Sequence, residues 1–325
     1  MAEAVSGVGP STGSRTGFHA LLDAPHARSG DLLATAYLAA TGVLAAASGT
    51  PTGWTLAGLH LAGMALIHFV ARTPVPRNPF GAILRLGWPV AITPLFYMEL
   101  ATLNQLLFPG YFDGPVQAWE RGLFGAQLSI VSSGWYDALW FSELLHLGYV
   151  SYYLVVPAAL LAAWRFGGRD GLESVVFATA LAFYLCYLCF AVFPVAGPRY
   201  EFARIVGPQT SGSLFGLVHG ILEAGSAKGT AFPSSHVAAT ATAWLAASRF
   251  DRRVFLVLLP LAVLLTLGTV YGRFHYGIDA LAGLLFAGAA LLWAPRLMGR
   301  LVPPRRPTTG YGCQAEASRS PAARP

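Results

Sequence analysis

The 325 residues are 55% hydrophobic and only 11% charged, with a mean hydropathy of +0.54, a composition that excludes an ordinary soluble domain and points to an integral membrane protein. The formal net charge is +6, yet the segment from Arg296 onward holds six arginines against Glu316, so most of the basic excess lies in a tail. No basic surface interleaved with aromatics accompanies it, which excludes nucleic acid as a partner.

In chain order, residues 1–29 begin MAEAVSGVGPSTGSRTG and read as a disordered tail; the first apolar run starts too late for a signal peptide. From Leu32 to Ala71 there is no Asp, Glu, Lys or Arg. A bilayer crossing needs about 20 apolar residues, so residues 30–71 predict a transmembrane hairpin, broken at SGTPTGW. Further spans are expected near residues 86–108, 141–164, 172–194, 232–250, 254–271 and 276–294, making about eight in all. Such long apolar runs suit helices rather than the short alternating strands of a barrel. The expected fold is therefore all-α: a polytopic helical bundle with the hairpin added to a six-helix core at residues 84–298. A disordered cytoplasmic tail is expected at 299–325.

Arginines set the orientation. Arg72, Arg77 and Arg85 follow span two, Arg165 and Arg169 follow span four, and Arg249, Arg252 and Arg253 follow span six. All three loops fall on one side, which the positive-inside rule makes cytoplasmic together with both termini. The opposite loops then face the periplasm or another extracytoplasmic space, as in a bacterial inner membrane. Cys186 and Cys189 form C-x-x-C inside span five without nearby ligands and are expected to be apolar filling.

Ionisable residues within spans are costly, so each is a functional candidate. His60 and His68, eight apart on span two, are expected to serve packing or the interface. Glu99, Asn104, Glu143 and His146 are candidates to line an acceptor pocket, with a polar clamp between helices as the alternative. Glu143 and His146 are three apart and share a helix face.

The densest polar constellation comes from three loops on the extracytoplasmic side. FPVAGPRY (193–200) brings Arg199; FPSSH (232–236) opens span six with Ser234, Ser235 and His236; YGRFHYGIDALAG (271–283) brings Arg273, His275 and Asp279. His275 and Asp279 are four apart, so the carboxylate can accept the imidazole N–H and leave the other nitrogen as a lone-pair nucleophile. With a second histidine as proton donor, one imidazole attacks phosphorus while the other protonates the departing alkoxide. Ser234, Ser235 and the free N–H groups of the helix start would cradle phosphate oxygens, and Arg199 and Arg273 would neutralise them.

At these residues the chain resembles the type 2 phosphatidic acid phosphatase superfamily. PSSH matches that family's Pro-Ser-Gly-His with Ser235 in place of Gly, and His275 with Asp279 matches its His-x-x-x-Asp. The resemblance implies His275 as nucleophile, His236 as general acid and Asp279 as orienting carboxylate. It departs from the pattern at Val192, where the family has lysine; at Pro198-Arg199, which reverses Arg-Pro; and at Thr269, where the family has arginine. These departures, with WERGLFGAQLS (119–129) and SELLHLGYVSYY (142–153), are similar to the branch of inositol phosphorylceramide synthases and sphingomyelin synthases. The expected activity is metal-independent phosphoryl transfer on a lipid phosphate through a phosphohistidine, with no cofactor and with water, a polyol or a lipid alcohol as acceptor. A metal-dependent membrane hydrolase and an inactive lipid-binding or transport relative are the alternatives. The sequence assigns no oligomeric state.

Overall fold

A computed structural model describes residues 28–301, so the two expected tails lie almost wholly outside the described residues. Within that range the chain is helical, and its only bridge of strand type joins Val195 to Thr230.

Helices α1 (Ser29–Ala47) and α2 (Pro51–Val70) form the N-terminal hairpin. Its turn is chemically specified: Thr50 accepts the Gly53 N–H at 3.0 Å, and Pro51 occupies the first helical position, where no N–H is needed. α1 faces inward through Tyr37, Leu38 and Ala45, and Asp31 at its start receives two bonds from Arg85, at 2.9 and 2.7 Å. That buried, bidentate pair fastens the hairpin to α3 (Pro79–Ala91). α3 and α4 (Thr93–Leu107) together make the third pass, broken at Ile92 between Pro89 and Pro94.

After two short helices, α5 (Asp113–Phe124) and α6 (Leu128–Trp135), the fourth pass is α7 (Leu139–Val150) continued by the first limb of α8 (Tyr152–Val192). α8 spans 41 residues, but Gly168 adopts φ 64° and ψ −150°, and the chain doubles back there. A Cβ on Gly171 would lie 2.7 Å from the Ala163 carbonyl, although a straight helix holds residues eight apart at about 12 Å. The second limb is the buried axis of the molecule, with Val175, Phe177, Ala180, Ala182, Cys186 and Phe190 inaccessible. Of the most apolar stretch of α8, 78% is buried against 17% for α2, so α2 offers most of its surface to lipid.

The chain then runs through α9 (Pro198–Glu201), a 3₁₀ turn (Pro208–Thr210) and α10 (Ser213–Gly225) into α11 (Ser235–Ala247), α12 (Arg252–Tyr271) and α13 (Gly277–Leu301). Among the described residues six helical stretches are long and apolar enough to cross a membrane: α1, α2, α3 with α4, α8, α12 and α13. Taking the two limbs of α8 separately and adding α11, which has only 13 residues, accounts for the eight passes expected.

The arginine-rich loops meet at one end. Arg169 donates to the carbonyls of Pro76 and Arg77 at 2.7 and 3.0 Å, and the Phe250 ring packs on Gly167. The loops around residues 195, 231 and 275 meet one another at the opposite end.

Candidate active site

The site is assembled by backbone pairing between loops. Val195 N–H donates to Gly229 at 3.2 Å and Ala231 N–H to Val195 at 3.0 Å, so the 195 loop and the approach to α11 lie side by side. Ser234 then caps α11: its hydroxyl accepts the Val237 N–H at 3.4 Å, while its own N–H donates to the Asp279 carbonyl at 2.9 Å. This contact needs α11 and α13 to touch at Gly283, where any Cβ would sit 2.6 Å from the Ser234 carbonyl oxygen. The α12–α13 turn is closed by the Thr269 carbonyl, which accepts from both Phe274 and His275 N–H at 3.0 Å. Arg273 inside this turn has φ 57°, a left-handed conformation costing a non-glycine residue about 1–3 kcal/mol.

His236 and His275 thereby face each other with ring centroids 6.0 Å apart, lining a small cleft of about 40 Å³ shared with Arg199, Tyr97, Tyr149 and Phe274. The spacing rule predicts a direct bond from His275 to Asp279, and the structure corrects it. Nδ1 of His275 donates instead to the Ala231 carbonyl at 2.8 Å, and Asp279 Oδ2 stands 3.6 Å away. The reason is geometric: His275 lies in the turn, two residues before α13 begins, so helical i,i+4 stacking does not reach it. Asp279 Oδ2 is taken up by the Tyr276 N–H at 2.7 Å. The tautomer is still defined, because Nδ1 carries the proton and Nε2 keeps its lone pair. Beside His236, the Tyr149 hydroxyl is 3.5 Å from Nε2, and Nδ1 is buried without a partner.

Ser234 and Ser235 are buried at the start of α11, and Arg199 reaches the cleft with one guanidinium nitrogen, Nη1, buried and unpaired. Arg273 is not among the residues lining the cleft. Its Nε donates to Ser133 Oγ at 2.9 Å and its Nη1 to the Ala203 carbonyl at 2.5 Å, which turns it toward an adjoining chamber. The four acceptor candidates do not converge either. Glu99 pairs with His60 at 2.8 Å, and Asn104 donates to the Lys228 carbonyl at 2.9 Å. Glu143 accepts the Leu214 and Phe215 N–H groups at 3.0 Å, at the start of α10, and His146 Nδ1 bonds the Ser142 carbonyl at 2.7 Å. Each serves as a polar tie between elements or within its own helix, and none lines the histidine cleft.

Two carboxylates that the sequence reading passed over underpin the site. Asp113 accepts the N–H groups of Ala196 and Gly197, both at 2.8 Å, and the Tyr276 hydroxyl at 2.9 Å. Glu120 accepts from Leu128 and from Ile278 at the start of α13, at 2.8 and 3.1 Å. Both are buried, and their seven-residue spacing along one face of α5 was the available signal.

Fold and site together define a polytopic helical membrane protein with a two-histidine cleft at one end of the bundle. Residues 115–293, more than half of the chain, match the PAP2 superfamily, and the chain belongs to that family. The match begins in α5 and ends in α13, leaving α1–α4 outside it. Membership supports, in general terms, a phosphatase-type enzyme acting on lipid phosphates. No curated protein and no solved structure is significantly similar to the chain.

Proposed function

We propose that the protein transfers a phosphoryl group from a lipid phosphate to an alcohol or to water through a phosphohistidine on His275, with its cleft on the extracytoplasmic face. The observation that carries this reading is the pair of facing imidazoles, one of which has its tautomer set by the Ala231 carbonyl. In the first step His275 Nε2 attacks phosphorus, the P–O bond to the lipid breaks, and protonated His236 gives its proton to the departing oxygen. Positive charge grows on the His275 ring as the P–N bond forms, and Asp279, 3.6 Å from Nδ1, stabilises it. In the second step His236 takes a proton from the incoming hydroxyl, whose oxygen attacks phosphorus as the P–N bond breaks. Arg199, Ser234, Ser235 and the first N–H groups of α11 hold the phosphate oxygens.

Among the described residues no three His, Cys, Asp or Glu side chains converge as a metal-binding set, so turnover is expected to continue in excess chelator. The resemblance to phosphorylceramide-type synthases favours a polyol or lipid hydroxyl as acceptor. The deciding experiment supplies membranes with a labelled lipid phosphate and with inositol, glycerol, ethanolamine or a lipid alcohol. Label in a new phosphodiester supports transfer; label only in inorganic phosphate makes the protein a phosphatase. Turnover that is lost in chelator and restored by zinc or magnesium would establish the metal-dependent alternative, and no turnover of any lipid phosphate the inactive one.

A further inference from the structure

Beside the histidine cleft lies a second, larger and partly open chamber of about 280 Å³, lined by α10, by the segment before it and by the α12–α13 turn. Arg199 and Tyr200 line both spaces, so an occupant of one is adjacent to an occupant of the other. The charged and ionisable residues of its wall are Arg199, Arg204, Arg273, His219 and Glu223. Glu223 answers only part of this charge: its Oε1 is 3.4 Å from Arg204 and 4.0 Å from Arg199. Nη1 of Arg199 and Nε2 of His219 are buried without protein partners. A buried guanidinium N–H left unpaired costs stability, about 1–3 kcal/mol, unless a ligand or solvent accepts from it; Nε2 of the His219 ring donates or accepts according to its tautomer. Arg199 is shared with the histidine cleft, so Arg204 and Arg273 against Glu223 leave the chamber one positive charge of its own, which suits an anion. The two volumes also differ in size: at about 40 Å³ the histidine cleft is the smaller, whereas the chamber, at about 280 Å³, has room for an acidic group together with a small polyol.

We propose that this chamber is a second anion site, which takes the phosphomonoester of a second molecule while the histidine cleft holds the phosphate that reacts. Its recognition chemistry is bidentate hydrogen bonding from Arg204, supported by the charge of Arg273 and in competition with Glu223. That the bound molecule is the second substrate rests on the phosphoryl-transfer reading above; that the chamber binds a phosphomonoester does not.

The test is calorimetric titration of the detergent-purified full chain with glycerol 3-phosphate, with glycerol as the uncharged control. Glycerol 3-phosphate is expected to bind and glycerol not. Arg204→Gln removes a side chain that is 87% exposed, so the fold is unaffected, and should weaken binding by about fivefold or more, as expected for one lost charge-assisted contact. Glu223→Gln should tighten binding, because it removes the internal competitor; a merely structural ion pair predicts no such gain. The double variant His236→Ala, His275→Ala should leave binding within about twofold, while abolishing any turnover. Tighter binding of a short-chain phosphatidic acid than of glycerol 3-phosphate assigns the site to a lipid headgroup, and the reverse order to a soluble one. The proposal is overturned by absence of binding. It is equally overturned by binding that disappears in the double histidine variant yet ignores Arg204→Gln and Glu223→Gln, which would put the only anion site in the cleft. If binding responds to Arg204 but no lipid phosphate is turned over, the phosphoryl-transfer reading fails and the chamber stands.

Discussion

His275, the proposed nucleophile, is held as a neutral ring with its Nε2 lone pair free. Its Nδ1 proton is committed to a backbone carbonyl, and burial pushes the imidazole pKa down to about 4, against the opposing effect of that hydrogen bond. The sign follows from the chemistry: only the neutral ring attacks, and a lowered pKa keeps it neutral further into acid. The acid limb of kcat/KM is therefore expected well below pH 6.5, the ordinary histidine value, and a limb centred there would show that His275 does not govern it. His275→Ala should reduce turnover by at least about a hundredfold while the protein still inserts and folds, checked by phosphate release and by thermal melting in detergent. Wild-type turnover in that variant would remove the phosphohistidine.

At the scale of elements, α5 acts as a bracket on the site although it contributes nothing to the cleft itself. Through Asp113 it fixes the 195 loop and Tyr276, and through Glu120 the start of α13. Asp113→Ala leaves two buried N–H groups unpaired and is expected to cost about 2–5 kcal/mol, with a loss of activity larger than its distance from the histidines suggests. Melting temperature and kcat measured together decide this; a variant equally stable and active would show that the loops hold themselves. Here the limits of sequence reading are physical. The passes were legible because hydropathy reports them directly, and the two histidines because polar residues at the edge of an apolar run are costly. The His275–Asp279 bond was misplaced because a four-residue spacing implies contact only inside a helix, and His275 precedes one. Arg273 lines the adjoining chamber instead of the cleft because Ser133 and the Ala203 carbonyl hold its guanidinium, and those neighbours are distant in sequence. The ties made by Glu99, Glu143 and Asn104 depend on tertiary neighbours, which no local pattern encodes.

For the whole molecule, the bundle is polar at both ends in different ways. One end gathers the arginine loops; the other carries the cleft and the chamber. In a variant whose native cysteines are replaced by alanine, Ser211→Cys is expected to react with an impermeant thiol reagent on intact cells and Thr73→Cys only after lysis. Both positions are exposed and lie at opposite ends. The reverse pattern would place the cleft in the cytoplasm.

α11, with 13 residues, advances only about 20 Å from the arginine end, less than the roughly 30 Å of hydrocarbon in a bilayer. His236 sits in its first turn, so the phosphoryl transfer proposed above would take place at a recessed depth, below the headgroup plane. A phospholipid can then present its phosphate by settling slightly inward, its acyl chains never leaving the bilayer. Extracting a sixteen-carbon chain into water would cost on the order of 13 kcal/mol at about 0.8 kcal/mol per methylene, and this arrangement avoids it. On that proposal encounter is a two-dimensional search, and surface density, not bulk concentration, is expected to set the rate. In mixed micelles at fixed surface mole fraction, kcat/KM should accordingly change little between twelve- and eighteen-carbon donors; a steep dependence on chain length would mean that the lipid is lifted out to react.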